Sequence, residues 1–177
     1  MSIHFEQIKS DQLLLRRFTA DDLDNVFKGL SDPIVNKYYG VSYSSLNDTV
    51  TQMDWFNHQS ENGLGIWTAV CSPDGATFYG AVGLNDLKAM HKKAEIGFWL
   101  LPSHWGKGIM AEAAGLICEY GFTALNLNRI EAFVETHNQS SQNLLARLGF
   151  LYEGTMQNCE IKNGSFISLS IYAKFKS

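Results

Sequence analysis

Glu95-Ile96-Gly97-Phe98-Trp99-Leu100-Leu101-Pro102-Ser103-His104-Trp105-Gly106-Lys107-Gly108-Ile109-Met110-Ala111-Glu112-Ala113 reads as strand, turn and helix, with both glycines of the turn placed where the helix begins. Such a junction leaves the first helical N–H groups without internal partners and points the positive end of the helix outward, so a phosphate can be held by backbone alone. Glycine at 106 and 108 permits close approach and unusual dihedrals there. Lys107 is either a point charge beside that anion or a solvated surface lysine, and Trp105 either packs over the loop or touches the ligand. Glu95 is an acid on an otherwise apolar strand, on the face opposite Ile96 and Phe98 by the period of two. It reads as a general base or as a strand-end partner for a base or a backbone group. Glu112, one turn into the helix, reads as a structural contact.

Three other chemistries fit this stretch poorly. The spacing of a phosphate-binding loop ending in Gly-Lys-Ser/Thr is absent, and no hydroxyl follows Lys107 to hold magnesium. Gly106-x-Gly108-x-x-Ala111 satisfies a relaxed dinucleotide fingerprint, with Glu135 at the end of the next strand. Against it, four residues separate Leu101 from Gly106, and too little chain follows for repeated strand and helix units. A serine hydrolase would need a nucleophile elbow, and none is present. His91, His104 and His137 read as loop histidines or as wet proton relays.

Outward from this centre, Leu13 to Phe18 is strand-like. Thr19 with an acid three residues on then opens a helix carrying Leu23, Val26, Phe27 and Leu30. Asp32-Pro33 starts a short segment, residues 38–45 form a loop, and Val50, Met53, Trp55 and Phe56 imply a further helix. Gly65 to Val70 and Thr77 to Leu84 read as a hairpin around Ser72-Pro73-Asp74-Gly75, with Ala94 to Leu101 as a third strand. After the helix from Ile109 to Leu125 come a strand at Arg129 to Val134 and a helix capped by Ser140 or Ser141 that Gly149 stops. Two last strands, Tyr152 to Ile161 and Phe166 to Lys174, meet at Asn163-Gly164, a strong hairpin signal. The expectation is a single mixed α/β domain over residues 1–177, with a mainly antiparallel central sheet flanked by helices.

These pieces, in this order, resemble the Gcn5-related N-acetyltransferase superfamily, and in particular its ribosomal-protein-like N-terminal acetyltransferase branch. The resemblance is carried by Leu13-Leu14-Leu15-Arg16-Arg17-Phe18-Thr19 with Asp22, by Ser31-Asp32-Pro33, and by Glu95 to Leu100. Trp105 to Ala113 and Asn138-x-x-Ser141-x-x-Leu144-Leu145-x-x-Leu148-Gly149-Phe150-x-x-Glu153-Gly154 complete it. The superfamily's broader loop pattern has Arg or Gln where Trp105 stands, and Gly or Ala where Met110 stands. The resemblance implies acetyl transfer from acetyl-coenzyme A, with no metal, to an amine: a protein or peptide α-amine, or a polyamine or other small amine. A noncatalytic acyl-coenzyme A-binding relative is the remaining alternative. It implies that the N–H groups of Trp105, Gly106, Lys107, Gly108, Ile109, Met110 and Ala111 hold the pyrophosphate, and that an N–H near Trp99 or Leu100 polarises the acetyl carbonyl. Asn138 would anchor the pantetheine amides, or serve as a turn residue. Ser141 would be proton donor or thiolate orienter, or a helix cap. Tyr38, Tyr39, Tyr43, Trp55 and Phe56 are expected on the acceptor side, and a homodimer is compatible with the resemblance.

Composition narrows the setting. Fourteen Lys and Arg against eighteen Asp and Glu give a net charge of -4, with no basic run to track a phosphate backbone, which argues against nucleic acid as a direct ligand. Met1 to Glu6 lacks the basic start and apolar core of a signal peptide, and no apolar run reaches the length of a membrane span, so a cytoplasmic location is the default. Cys71, Cys118 and Cys159 are far apart and odd in number, and read as small buried or half-buried apolar side chains.

Overall fold

A computed structural model describes residues 2–177, so Met1 lies outside the described residues. The Asn163-Gly164 signal forms the turn it encodes: both residues sit at positive φ, 50° and 76°. They join two long antiparallel strands whose labels follow in chain order.

Strands β1 (Gln7–Lys9) and β2 (Leu14–Arg16) precede helices α1 (Leu23–Leu30), α2 (Pro33–Asn36) and α3 (Leu46–Glu61). Then come β3 (Ile66–Cys71), β4 (Phe78–Lys88), β5 (Lys93–Leu100), α4 (Ile109–Thr123), β6 (Arg129–Glu135), α5 (Gln139–Arg147), β7 (Leu151–Lys162) and β8 (Ser165–Phe175). They form one eight-stranded sheet in the order β1-β2-β3-β4-β5-β6-β8-β7. Every neighbouring pair is antiparallel except β5 and β6. A single parallel pair is incompatible with a doubly wound dinucleotide fold, which removes that alternative.

Two cores sit on opposite faces. Helix α4 buries Ala113, Ile117 and Phe122 against Val82, Ile96 and Ile130, and Leu145 of α5 joins them. On the other face, α1 and α3 cover Trp67, Ala81 and Trp99 with Val26, Leu30 and Phe56. The indoles are admitted by missing side chains: a Cβ on Gly29 would enter the Trp99 ring, and one on Gly97 would lie 2.7 Å from Trp67.

Besides the short strand β1, which the sequence reading does not contain, three local details depart from it. The inward face of α3 carries Thr49, Gln52, Met53, Phe56, Gln59 and Ser60, whereas Val50 and Trp55 are exposed. Helix α5 is capped not by Ser140 or Ser141 but by Asn138, whose Oδ1 accepts the Ser141 N–H at 3.2 Å, so the helix starts earlier. Cys71 and Cys118 are buried, and burial pushes their thiols up to about 11 and about 12, but Cys159 is exposed.

At the start of α1, the Asp22 carboxylate accepts the Thr19 N–H at 2.8 Å and a two-armed contact from Arg16 at 2.7 and 2.8 Å. Burial opposes ionisation of Asp22, but the Arg16 and Thr19 hydrogen bonds outweigh it and hold the carboxyl below its ordinary range. Arg16→Leu would leave a buried charge without its cation, and is expected to lower stability by about 3 kcal/mol in urea denaturation at pH 7. The contribution is present above the ordinary Asp range and fades as acid protonates the folded carboxyl, so the difference between variant and wild type should shrink towards pH 3.

Candidate active site

The sheet opens at its centre. β5 and β6 pair only through Lys93↔Arg129, Ala94↔Ile130 and Glu95↔Glu131. Past that point β5 continues with β4, and β6 with β8, leaving a split between them. The Leu101 N–H donates to the Tyr79 carbonyl at 2.9 Å, and the Arg129 N–H to the Lys92 carbonyl at 3.1 Å. Odd-numbered positions of β5 therefore bond towards β4 and even-numbered ones towards β6. The N–H groups of Phe98 and Leu100 face the split, whereas that of Trp99 is turned to β4. Of the two positions expected to supply a donor to the acetyl carbonyl, the register favours Leu100, and the Trp99 indole is core.

The glycine loop follows β5 directly. Trp105 does not lie free: its indole Nε1 donates to the Leu100 carbonyl at 2.9 Å and ties the loop to the strand. The Lys107 Nζ donates to the Ser103 carbonyl at 2.9 Å while its side chain stays at the surface. Gly106 and Gly108 take φ of 74° and 80°, and a Cβ at either would meet nothing within 4 Å. Among the described residues, no N–H from Gly106 to Ala111 donates within the protein, and the first to do so is Glu112, to the Gly108 carbonyl at 3.2 Å. Met110 is buried in the main core, so its bulk points away from these amides. The loop thus fits a diphosphate group on its backbone donors. Glu112 is structural, as expected, accepting the Ser10 hydroxyl at 2.5 Å.

Glu95 and Glu131 are register partners on one face, yet their environments push them apart. Burial disfavours the Glu131 charge, but Lys93 at 2.9 Å and Arg129 at 2.7 Å overcome it and keep its carboxyl below the ordinary range. Among the described residues, Glu95 has no such cation. Burial first, then the charges of Asp86, Glu131 and Glu160, push its carboxyl up to about 7. Two neighbouring carboxylates, one fixed as an anion and one poised near neutrality, are the arrangement general-base chemistry needs.

Residues 12–151 match the model of the acetyltransferase (GNAT) domain family. The chain belongs to that family. It is 31% identical over 173 residues to the uncharacterized N-acetyltransferase YoaA of Bacillus subtilis (strain 168), covering 97% of this chain and 98% of that one. It is 33% identical over 172 residues to the uncharacterized N-acetyltransferase p20 of Bacillus licheniformis, covering 97% of each. Among solved structures, it superposes on the ribosomal alpha-N-protein acetyltransferase RimL in complex with coenzyme A with a TM-score of 0.85 at 22% identity, over 96% of this chain and 98% of that one. The spermidine N-acetyltransferase of Vibrio cholerae in complex with coenzyme A and spermine gives 0.83 at 23% identity, over 94% and 96%. The protein is an acyl-coenzyme A-dependent N-acetyltransferase.

In this GNAT domain the expected acceptor-side residues divide. Phe56 is 2% exposed and stacked on Phe18 at 4.1 Å, so it is core and leaves the acceptor set. Trp55 is 37% exposed and meets Trp67 edge-on at 5.7 Å, beside the Trp67 indole that lies over Gly97. Tyr39 packs into the second core, where burial pushes its phenol well up, and the Tyr43 hydroxyl donates to Gln52 at 3.0 Å. Tyr38 crosses to the far lip of the split, its hydroxyl donating to the His137 carbonyl at 3.1 Å. There the Lys162 Nζ donates to Glu135 at 2.5 Å and to the Lys37 carbonyl at 2.6 Å. A cavity of about 500 Å³ opens among Tyr38, Glu135, Lys162 and Ile167. Ser141 is half-buried in the first turn of α5. Of the histidines, His104 packs against Tyr79 at 4.6 Å, and burial, then Lys107 and Lys28, hold it below its ordinary pKa. His91 and His137 are exposed.

The sequence reading passed over Glu131, Asn85 and Phe133. Asn85 is the β4 register partner of Glu95, and Phe133 lies two residues beyond Glu131 on the same face. The alternation Arg129, Glu131, Phe133, Glu135 held the signal for Phe133, an apolar side chain in an otherwise charged outward row. No helix of the described residues is long and apolar enough to cross a membrane.

Proposed function

We propose that this domain acetylates the α-amine of a protein or peptide by direct attack of the amine on the thioester. Bound acetyl-coenzyme A would supply the activated acetyl group, its pyrophosphate held by the N–H groups of Gly106 to Ala111. The Leu100 N–H stands where the split opens, as a donor for charge developing on the carbonyl oxygen. Glu95 takes the amine proton directly or through water. Asn138, whose Oδ1 is committed to the helix cap, has its NH₂ left to meet the pantetheine arm. The Ser141 hydroxyl protonates or orients the departing sulfur. Tyr38, Tyr43 and Trp55 flank the acceptor side.

The observation that carries this reading is Glu95, a carboxyl pushed up to about 7 at the point where the strands part. A protein acceptor is supported by the likeness to RimL, and a polyamine by the likeness to the spermidine enzyme. Thiol release from acetyl-coenzyme A, followed against a panel of free-amino peptides, their N-terminally blocked counterparts and spermidine, decides between them. Release should depend on the free α-amine, with kcat/KM for the best peptide at least tenfold above spermidine. Turnover confined to spermidine would sink the peptide assignment, and coenzyme binding without any turnover would sink catalysis.

A further inference from the structure

Helices α1 and α3 pack over β3 and β4, and α4 and α5 cover the opposite side. The face of β6, β8 and β7 that continues from Glu95 therefore carries no helix. Its rows follow from the register: Glu131, Ala173 and Leu151; then Phe133, Ile171 and Gly154; then Glu135, Leu169 and Met156. The middle of this face is apolar, with Phe133 36% and Met156 37% exposed and Ile171 half-buried, while Ala173 and Leu169 of the outer rows are buried. Its rim is charged, with Arg129 paired to Glu131 and Glu153 at one end and Lys162 to Glu135 at the other. A Cβ on Gly154 would meet nothing within 4 Å, which leaves a recess beside Ile171.

We infer that this platform seats the chain of a peptide acceptor, and that it selects for apolar side chains within the first three residues behind the reacting amine. The inference rests on the peptide-acetylation reading above and adds the surface and chemistry of selection. Phe133 is two residues, about 7 Å, beyond the register partner of Glu95 and on the same face, so a segment lying on the platform is continuous with the base. With Glu131 neutralised by Lys93 and Arg129, the carboxylate of Glu160, near enough to Glu95 to act on its charge, puts negative charge at the end at which an α-ammonium arrives. A polyamine has no side chain for Phe133 and Ile171 to cover, and a second copy seated there would close the approach to Glu95. An extended peptide uses both the apolar middle and the acidic end.

The test compares two short peptides labelled at the C-terminus, Ala-Ile-Leu-led and Ala-Ser-Gly-led, by fluorescence anisotropy with coenzyme A present and, separately, by acetylation rate. Phe133→Ala and the surface variant Met156→Lys are each expected to weaken binding of the apolar peptide about tenfold and to raise its KM alike, with kcat unchanged. The Ser-Gly peptide should shift by less than twofold. Unchanged affinity for the apolar peptide in both variants overturns the platform, as does an equal loss for both peptides. A fall from dimer to monomer in sedimentation of Phe133→Ala overturns it too, because a second copy then occupies the face. The two readings fail separately: peptide that binds through Phe133 but releases no thiol leaves the platform standing and removes the transfer step, whereas acetylation indifferent to Phe133 does the reverse.

Discussion

Gly108→Asp is expected to weaken acetyl-coenzyme A binding by more than 100-fold in a protein that still folds. The fold should survive because a Cβ at residue 108 meets nothing within 4 Å, and the φ of 80° is one that Asp and Asn adopt at a cost of about 1 kcal/mol. Binding should not survive, because the new carboxylate would stand among the unpaired amides of Gly106 to Ala111, both filling the anion's place and repelling it. At about 4 Å and an effective dielectric near 20, that repulsion is worth about 4 kcal/mol before salt screening. Gly108→Asn separates the two effects, since it has the same shape without the charge; about tenfold is expected for it, with little dependence on salt. Calorimetric titration of both variants checks the ordering. A folded Gly108→Asp protein with the wild-type dissociation constant would show that the diphosphate is held elsewhere.

How much of this was legible beforehand depended on whether the signal was local. The strand, turn and helix from Glu95 to Ala113, and the hairpin at Asn163-Gly164, are encoded in a few adjacent residues whose conformational preferences do not need the rest of the chain. Strand β1 escaped because three residues with the outer two exposed carry no periodicity, and it exists only through its pairing with β2. Of the four residues that imply helix α3, Met53 and Phe56 are buried but Val50 and Trp55 are exposed, and the rest of the inward side is polar: Thr49, Gln52, Gln59 and Ser60, with Gln52 satisfied by Tyr43. Phe56 belongs to the core rather than the acceptor wall because it is one of the apolar residues on that inward side. The split itself could not be read locally, since it arises when β6 leaves β5 for a strand that begins thirty-six residues after β6 starts. Glu95 was legible as an anomaly, an acid in an apolar strand, but its poise required knowing that Lys93 and Arg129 attend Glu131 instead.

That division of cations leads to the second large effect, for Glu95→Gln. A general base contributes about 10² to 10⁴ in rate, so kcat should fall by that factor while acetyl-coenzyme A affinity stays within twofold, because Glu95 lies near the start of β5, ten residues of strand and turn before Gly106. With the wild-type carboxyl pushed up to about 7, kcat should climb as pH rises through that value and then level, and the Gln variant should lack this limb. Stability carries the same signature with the opposite sense. The folded protein holds the Glu95 proton more tightly than the unfolded chain, so between pH 4.5 and 7 the native state binds more protons and stability falls as pH rises. The charged carboxylate then costs the native state about 3 kcal/mol at pH 8, a cost that Gln does not incur. Glu95→Gln should therefore be slower yet more stable than wild type at pH 8, with the stability gap closing near pH 4. Denaturation at the two pH values and a pH–rate profile measure both halves. A variant that keeps the rising limb of kcat would move the base elsewhere, to a relay through water or His104. A variant no more stable than wild type at pH 8 would show that Glu95 is solvated and its carboxyl ordinary.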